Sequence, residues 1–199
     1  MADLLIAVLV LAGCVYGTSA TAKLSGRRAY RSYQAGLGEA RLVPGRFLPA
    51  TAAALAAGEI VTAGGLAAAA ILIAMAGPGA VTVTAASLGA AVVLTAILSA
   101  GVAVIVRRGT PARCACFGAA SGGSAGRPMG KAHLSRNLGL LAAVAAGLAA
   151  VAAGAVAGGA PAPAGVVVAA LTGALAAILL IRLDDLVAVF TPVSRGNAG

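Results

Sequence analysis

Long runs without charge, separated by blocks of basic residues, are the feature that most constrains this chain. Charge-free runs cover residues 4–22, 81–106 and 137–181, and a fourth run, 47–76, contains one acid, Glu59. Each offers about the 20 residues that a helix needs to cross about 30 Å of hydrocarbon. With 61% hydrophobic and 10% charged residues, the chain cannot cover its apolar surface in water. The sequence therefore predicts an all-α integral membrane protein.

The run 137–181 is too long for one helix and is expected to break at the glycines and prolines of residues 157–165. Five spans follow, over about 4–22, 47–76, 81–106, 137–156 and 165–181. They are expected to form one compact bundle, a single membrane domain over residues 1–199. The first run could instead be a signal peptide, but its basic residues follow the apolar core rather than precede it.

The basic residues indicate the orientation of the bundle. All 14 Lys and Arg lie in three segments, 23–46, 107–136 and 182–195, which five spans place on one side. The positive-inside rule predicts that this side is cytoplasmic, with the N-terminus outside and the C-terminus and the 107–136 loop inside. Anionic membrane lipid accounts for the net charge of +9. Nucleic-acid binding is not expected, because the basic segments carry few aromatics and no known motif.

Glu59 is the only acidic residue deep within a predicted span. A carboxylate in the hydrocarbon is costly unless it is protonated or paired inside the bundle. One interpretation is a proton or substrate site. The other is an interhelical hydrogen bond with Thr62, Tyr16 or Thr18.

The first span contains the small-residue pattern "GCVYG" (13–17), which favours close helix packing. Cys14, within it, is expected to be a small packing residue.

Cys114 and Cys116 lie one residue apart in a basic, Gly- and Ser-rich loop. A metal site is not predicted, because only Cys14 and His133 remain as further donors, and His133 reads as an interfacial polar residue. Two incidental cysteines remain an alternative. A disulfide across one residue is strained and easily reduced, and nearby arginines favour the thiolate. These features favour a redox pair.

The pieces "CACFG" and, some 20 residues later, "LSRNLGLL" resemble the methylamine utilisation protein MauE family, part of a wider DoxX-like group. The segments "SATAKL" (19–24), "RLVPGRFLP" (41–49) and "GEIVTAGGL" (58–66) follow the same pattern, so the resemblance covers about residues 4–155. It implies a four-helix DoxX-like core plus one further helix.

The resemblance also implies a role in forming or sorting disulfides of exported proteins with a thioredoxin-like partner. Cys114 and Cys116 would then be the redox pair of a thiol–disulfide oxidoreductase component. The remaining residues would support them: Phe117 and Gly118 at the turn, Arg136 and Asn137 at the start of the fourth span, and Glu59 as the intramembrane acid. No cofactor is evident. A quinone could complete an electron relay, although no residue calls for one.

Two rival functions remain open at this stage. One is a small-molecule or proton transporter that uses Glu59, and the other is an assembly factor that holds partners by its helices. The redox hypothesis contains a conflict: the family role concerns exported proteins, whereas the charge pattern predicts that the cysteine loop is cytoplasmic.

Overall fold

The computed structural model describes residues 1–109, 131–156 and 161–183, and over these ranges it contains helices and no strands. Five helices are long and apolar enough to cross a membrane, which confirms the predicted multi-pass, all-α architecture. The helices are α1 (Ala2–Leu24), α2 (Arg27–Glu39), α3 (Leu48–Ala74, preceded by a 3₁₀ turn at Gly45–Phe47), α4 (Ala80–Arg108), α5 (Lys131–Ala152) and α6 (Pro163–Ile181).

Helix α1 is the centre of the bundle. It packs against α3 and α5, and α4 closes the ring by contacting both of these, which gives a four-helix core. Leu9, Ala12 and Leu66 are fully buried within it, together with Leu88 of α4 and Val144 of α5. The fifth span, α6, lies outside this ring and makes its main contacts with α1. The arrangement therefore consists of four helices plus one.

Helix α6 approaches α1 closely at Gly173. A Cβ there would collide with the carbonyl oxygen of Ala7 and would lie 3.0 Å from the Val10 Cβ. By contrast, a Cβ on Gly17 would meet nothing within 4 Å, and Cys14 is exposed on the surface of α1. The expectation that Cys14 fills a packing position is therefore wrong, because this part of the 13–17 segment faces outward.

Close approaches between facing helices fix which residues lie at the same level along the bundle. In three pairs of neighbouring helices, a Cβ added to one glycine would lie between 3.4 and 3.8 Å from a side chain of the facing helix. The facing pairs are Gly13 with Leu66, Gly58 with Leu94, and Gly147 with Leu88; the Gly147 Cβ position also lies 3.2 Å from Cγ1 of Val8 in α1.

Most of the exposed large apolar side chains form a belt between two levels, with Met1 and Phe47 outside it. At a rise of 1.5 Å per residue, this register places Leu24, Ile97 and Leu138 at one level. Leu4 and Met75 share another level, about 30 Å away. All five side chains are exposed, and the separation matches the thickness of a bilayer's hydrocarbon core. We call this surface the apolar belt, and the level of Leu24, Ile97 and Leu138 its basic edge.

Helices α3 and α4 continue beyond the basic edge, by about 10 Å and about 16 Å respectively. Helix α2 packs against this extension, where Ala40 is buried against Ile105 and Leu42 covers both. Helix α2 was not expected, because its 13 residues form no apolar run. Its amphipathic pattern, with Tyr33 buried and the arginines exposed, was the sequence signal that could have identified it.

We expect Gly173→Ala to destabilise the bundle and Gly17→Ala to leave it unchanged or slightly more stable. Both changes gain helix propensity, but only the first forces a methyl group into the backbone of α1, an overpacking cost of about 1–3 kcal/mol. Thermal unfolding of both variants in one detergent, followed by circular dichroism, tests this. Equal Tm values would show that α6 moves away from α1 without cost.

Candidate functional site

A buried ion pair joins α1 to α3. The Lys23 ammonium, in the last turn of α1, donates to both carboxylate oxygens of Glu59, with Nζ 2.5 Å from Oε1 and 2.6 Å from Oε2. Each side chain is 2% exposed. Burying two charges is costly unless their geometry is good and further hydrogen bonds complete it. The bidentate contact provides that geometry.

Two further groups complete the surroundings of the pair. The Ser19 hydroxyl, one turn before Lys23, donates to Glu59 Oε1 at 3.3 Å. The Tyr33 ring of α2 makes a cation–π contact with Lys23, since the ring centroid lies 4.7 Å from Lys23 Nζ. Burial, with a smaller contribution from the Glu59 charge, raises the pKa of the Tyr33 phenol. The ring is therefore neutral and covers the ammonium without adding a charge.

Glu59 is paired inside the bundle, as one of the two interpretations required, but its cation is none of the expected partners Thr62, Tyr16 and Thr18. Thr18 bonds back to carbonyl oxygens of its own helix, and the Tyr16 hydroxyl donates to the Ala91 carbonyl oxygen at 3.0 Å and lies 2.5 Å from the Thr95 hydroxyl. The actual cation, Lys23, had been assigned to the basic connection after the first span. The signal that could have found it is the spacing of Tyr16, Ser19 and Lys23, which puts three polar side chains on one helix face.

The depth of Glu59 also differs from the expectation. Glu59 is 11 residues, or about 16 Å, from the start of α3, and this count alone would place it in the middle of the membrane. The register with α1 instead places it level with Ala20, about 6 Å inside the basic edge. The first turns of α3 lie beyond the apolar belt, so counting from the helix start overstates the depth. The ion pair lies at the boundary of the belt.

Arg136 and Asn137, two of the predicted supporting residues, lie at the same boundary. The register between α4 and α5 places Arg136 level with Ser99, just past the basic edge, and it is buried at 6% exposure. Asn137 is half-buried, one residue further along α5. The chain therefore buries a second basic side chain near the level of Lys23.

Cys114, Cys116, Phe117 and Gly118 lie outside the described residues. The segment that carries them leaves α4 at Gly109 and returns at the start of α5, Lys131. Both attachment points lie beyond the basic edge, at the end of the bundle that holds the ion pair. Among the residues that the structure describes, no group of His, Cys, Asp and Glu could hold a metal ion.

We expect removal of either charge of the pair to destabilise the protein far more than removal of both. Lys23→Met leaves Glu59 buried without its cation, and Glu59→Met leaves Lys23 buried without its anion, each at a cost of about 3–5 kcal/mol. The double variant leaves no buried charge and should remain within about 1–2 kcal/mol of the parent. Unfolding of all four proteins in one detergent gives the coupling free energy.

Additive losses in that double variant would contradict the pairing. So would single variants that unfold like the parent.

Comparisons with known proteins agree with this architecture. The chain matches the family described as "Methylamine utilisation protein MauE" over residues 1–150. That range contains α1 to α4 and nearly all of α5, whereas α6 lies beyond it. Searches of curated proteins and of solved structures gave no significant match. A match over three quarters of the sequence, on a bundle of five apolar helices, shows that this multi-pass membrane protein belongs to the MauE family.

Proposed function

We propose that the protein is a membrane thiol–disulfide exchange component whose Cys114 and Cys116 react with a thioredoxin-like partner. The observation that carries the proposal is the spacing of the two cysteines, one residue apart in a connection rich in Gly, Ser and basic residues. Such a pair has no packing role to fill in a wet loop, and its disulfide is strained and readily exchanged. Membership of the family of methylamine utilisation proteins supports a place in that process.

The surroundings of the loop's attachment points favour this chemistry. Arg107 and Arg108 are exposed in the last turn of α4, seven and six residues before Cys114. Positive charge near a thiol favours the thiolate, which is the species that attacks a disulfide. The loop begins beyond the apolar belt, so a water-soluble partner domain has access to the point where the loop leaves α4.

The exchange balances within the two proteins. A thiolate from one cysteine attacks the partner's disulfide, forming a mixed disulfide and releasing a partner thiolate. The second cysteine then attacks the mixed disulfide and releases the partner's second thiol. Two electrons pass to the partner, and the Cys114–Cys116 disulfide is the oxidised product. The reverse sequence oxidises a partner dithiol in the same way.

Glu59 is better explained as part of the scaffold than as the acid of a transporter. Its carboxylate is 2% exposed and its two oxygens are both engaged by Lys23. A carboxylate that carries protons or cations must alternate between partners, and Lys23 already satisfies this one. The contact therefore supports the redox proposal over the transporter.

We also propose that the basic end of the bundle faces the cytoplasm. All 14 basic residues lie in segments at this end, as the positive-inside rule requires for cytoplasmic segments. The thioredoxin-like partner would then be cytoplasmic.

Trapping of the mixed disulfide tests the exchange. Cys116→Ser, with Cys114→Ser as its counterpart, is expected to accumulate a covalent adduct with a thioredoxin-like domain that reducing agent dissolves. One of these two variants lacks the thiol that resolves the mixed disulfide, so the mixed disulfide persists in that variant. The matched control is Cys14→Ser, which should behave like the parent. Absence of an adduct in both single variants, with parent cysteines that oxidants leave unchanged, would contradict the proposal.

Maleimide labelling tests the sidedness. In a Cys14→Ser background, Cys114 and Cys116 are expected to react in inside-out vesicles and to be protected in intact cells from an impermeant maleimide. Prior reduction should increase the labelling if the pair forms a disulfide. Labelling from outside the intact cell would reverse the proposed orientation while leaving the exchange chemistry open to the trapping experiment.

A further inference from the structure

The exposed face of α2 carries a concentrated positive charge. Arg27, Arg28 and Arg31 are all exposed, and the helix spacing places them on one side. The opposite side carries Tyr33, which is buried, and Tyr30, which is half-buried and lies 6.3 Å from the Tyr33 ring. The outward face therefore offers three guanidinium groups and no large apolar side chain.

Among the residues that the structure describes, no acidic side chain at this end of the bundle neutralises the first turns of α2; Asp184 and Asp185, which follow α6 in the sequence, lie outside them. Glu59 is buried and already bound to Lys23, and Asp3 lies at the opposite end of α1. Glu39 is exposed on the same face, but it lies at the far end of α2, about 12 Å along the helix from Arg31. The three arginines thus form a cationic surface that no acidic side chain within residues 1–109, 131–156 and 161–183 offsets.

The position of this surface coincides with one membrane layer. Leu24 marks the basic edge of the apolar belt, and Arg27 follows it by three residues. The layer immediately outside the hydrocarbon core is the layer of lipid headgroup phosphates. Guanidinium groups bind phosphate with planar, charge-assisted hydrogen bonds. An acidic soluble protein would need to reach the same layer, whereas lipid is already there.

We propose that the Arg27, Arg28 and Arg31 face of α2 is a binding surface for anionic phospholipid headgroups in the leaflet at the basic end. Through α2, this contact holds Tyr33 over the Lys23–Glu59 pair. The face carries no large apolar side chain, so it binds headgroups and does not insert into the acyl chains. The inference is independent of the cysteine chemistry.

Titration of the detergent-solubilised protein with dioleoylphosphatidylglycerol, followed by native mass spectrometry, tests the surface. Arg28→Gln/Arg31→Gln should retain the lipid about 30-fold more weakly, because each basic residue near an anionic surface contributes about fivefold. The matched control, Arg107→Gln/Arg108→Gln, removes the same charge about 15 Å beyond the basic edge and should change retention little. Arg28→Lys/Arg31→Lys should restore most of the retention, since it keeps the charge.

Three outcomes would overturn the proposal. Equal losses in the α2 variant and its control would indicate general electrostatic attraction. Equal retention of phosphatidylglycerol and phosphatidylcholine by the parent would show no preference for anionic headgroups. Unchanged lipid retention by the α2 variant would show that the arginines do not bind lipid, and would favour an acidic protein as their partner. Circular dichroism of each variant, which is expected to match the parent because all four arginines are exposed, excludes misfolding as the cause.

Discussion

The bidentate contact between Lys23 and Glu59 is the interaction on which the basic end of the structure depends. A charge at the edge of hydrocarbon must be paired, and here each partner comes from a different helix. The pair therefore sets the register of α1 against α3. It also requires a side chain that covers it where neither α1 nor α3 does. Tyr33 provides that cover, which explains why a short polar helix, α2, packs back onto the bundle immediately after α1 ends.

The two ends of the bundle are held together by different physical means. Toward the basic end, directional bonds link α1 to its neighbours: Lys23 and Ser19 to α3, and Tyr16 to the α4 residues Ala91 and Thr95. Toward the opposite end, close packing takes over, with Gly173 of α6 against the α1 backbone. Where lipid removes the hydrophobic drive between helices, small residues and polar links are the available devices. Directional bonds resist rotation and sliding, so the end that carries the cysteine loop has the more strictly defined geometry.

The sequence predicted the class and the number of spans because both follow from length and charge alone. A 20-residue apolar run between basic blocks has few other solutions. The polar contacts could not be predicted, because they depend on the register between helices. Helices built of Ala, Gly and Val can pack in several registers of nearly equal energy. Lys23 illustrates this: its position beside a basic segment suggested a loop residue, and only the facing of Gly13 with Leu66 shows that it reaches Glu59. Helix α2 was missed for a different reason: it is amphipathic, but its 13 residues are too few and too polar to form an apolar run.

The apolar belt also limits what the cysteine pair can react with. By the register, Gly109 and the exposed thiol of Cys14 are separated by about 33 Å along the bundle axis. Cys116 is seven residues beyond Gly109, and even a fully extended chain of that length spans at most about 25 Å. A disulfide adds about 5.5 Å between Cα atoms, which does not close the gap. By this register a bridge from Cys116 to Cys14 falls about 2–3 Å short, which argues against Cys14 as the resolving thiol of the proposed pair. Under the proposed function, Cys114 and Cys116 would therefore exchange electrons with a protein that approaches from the basic end.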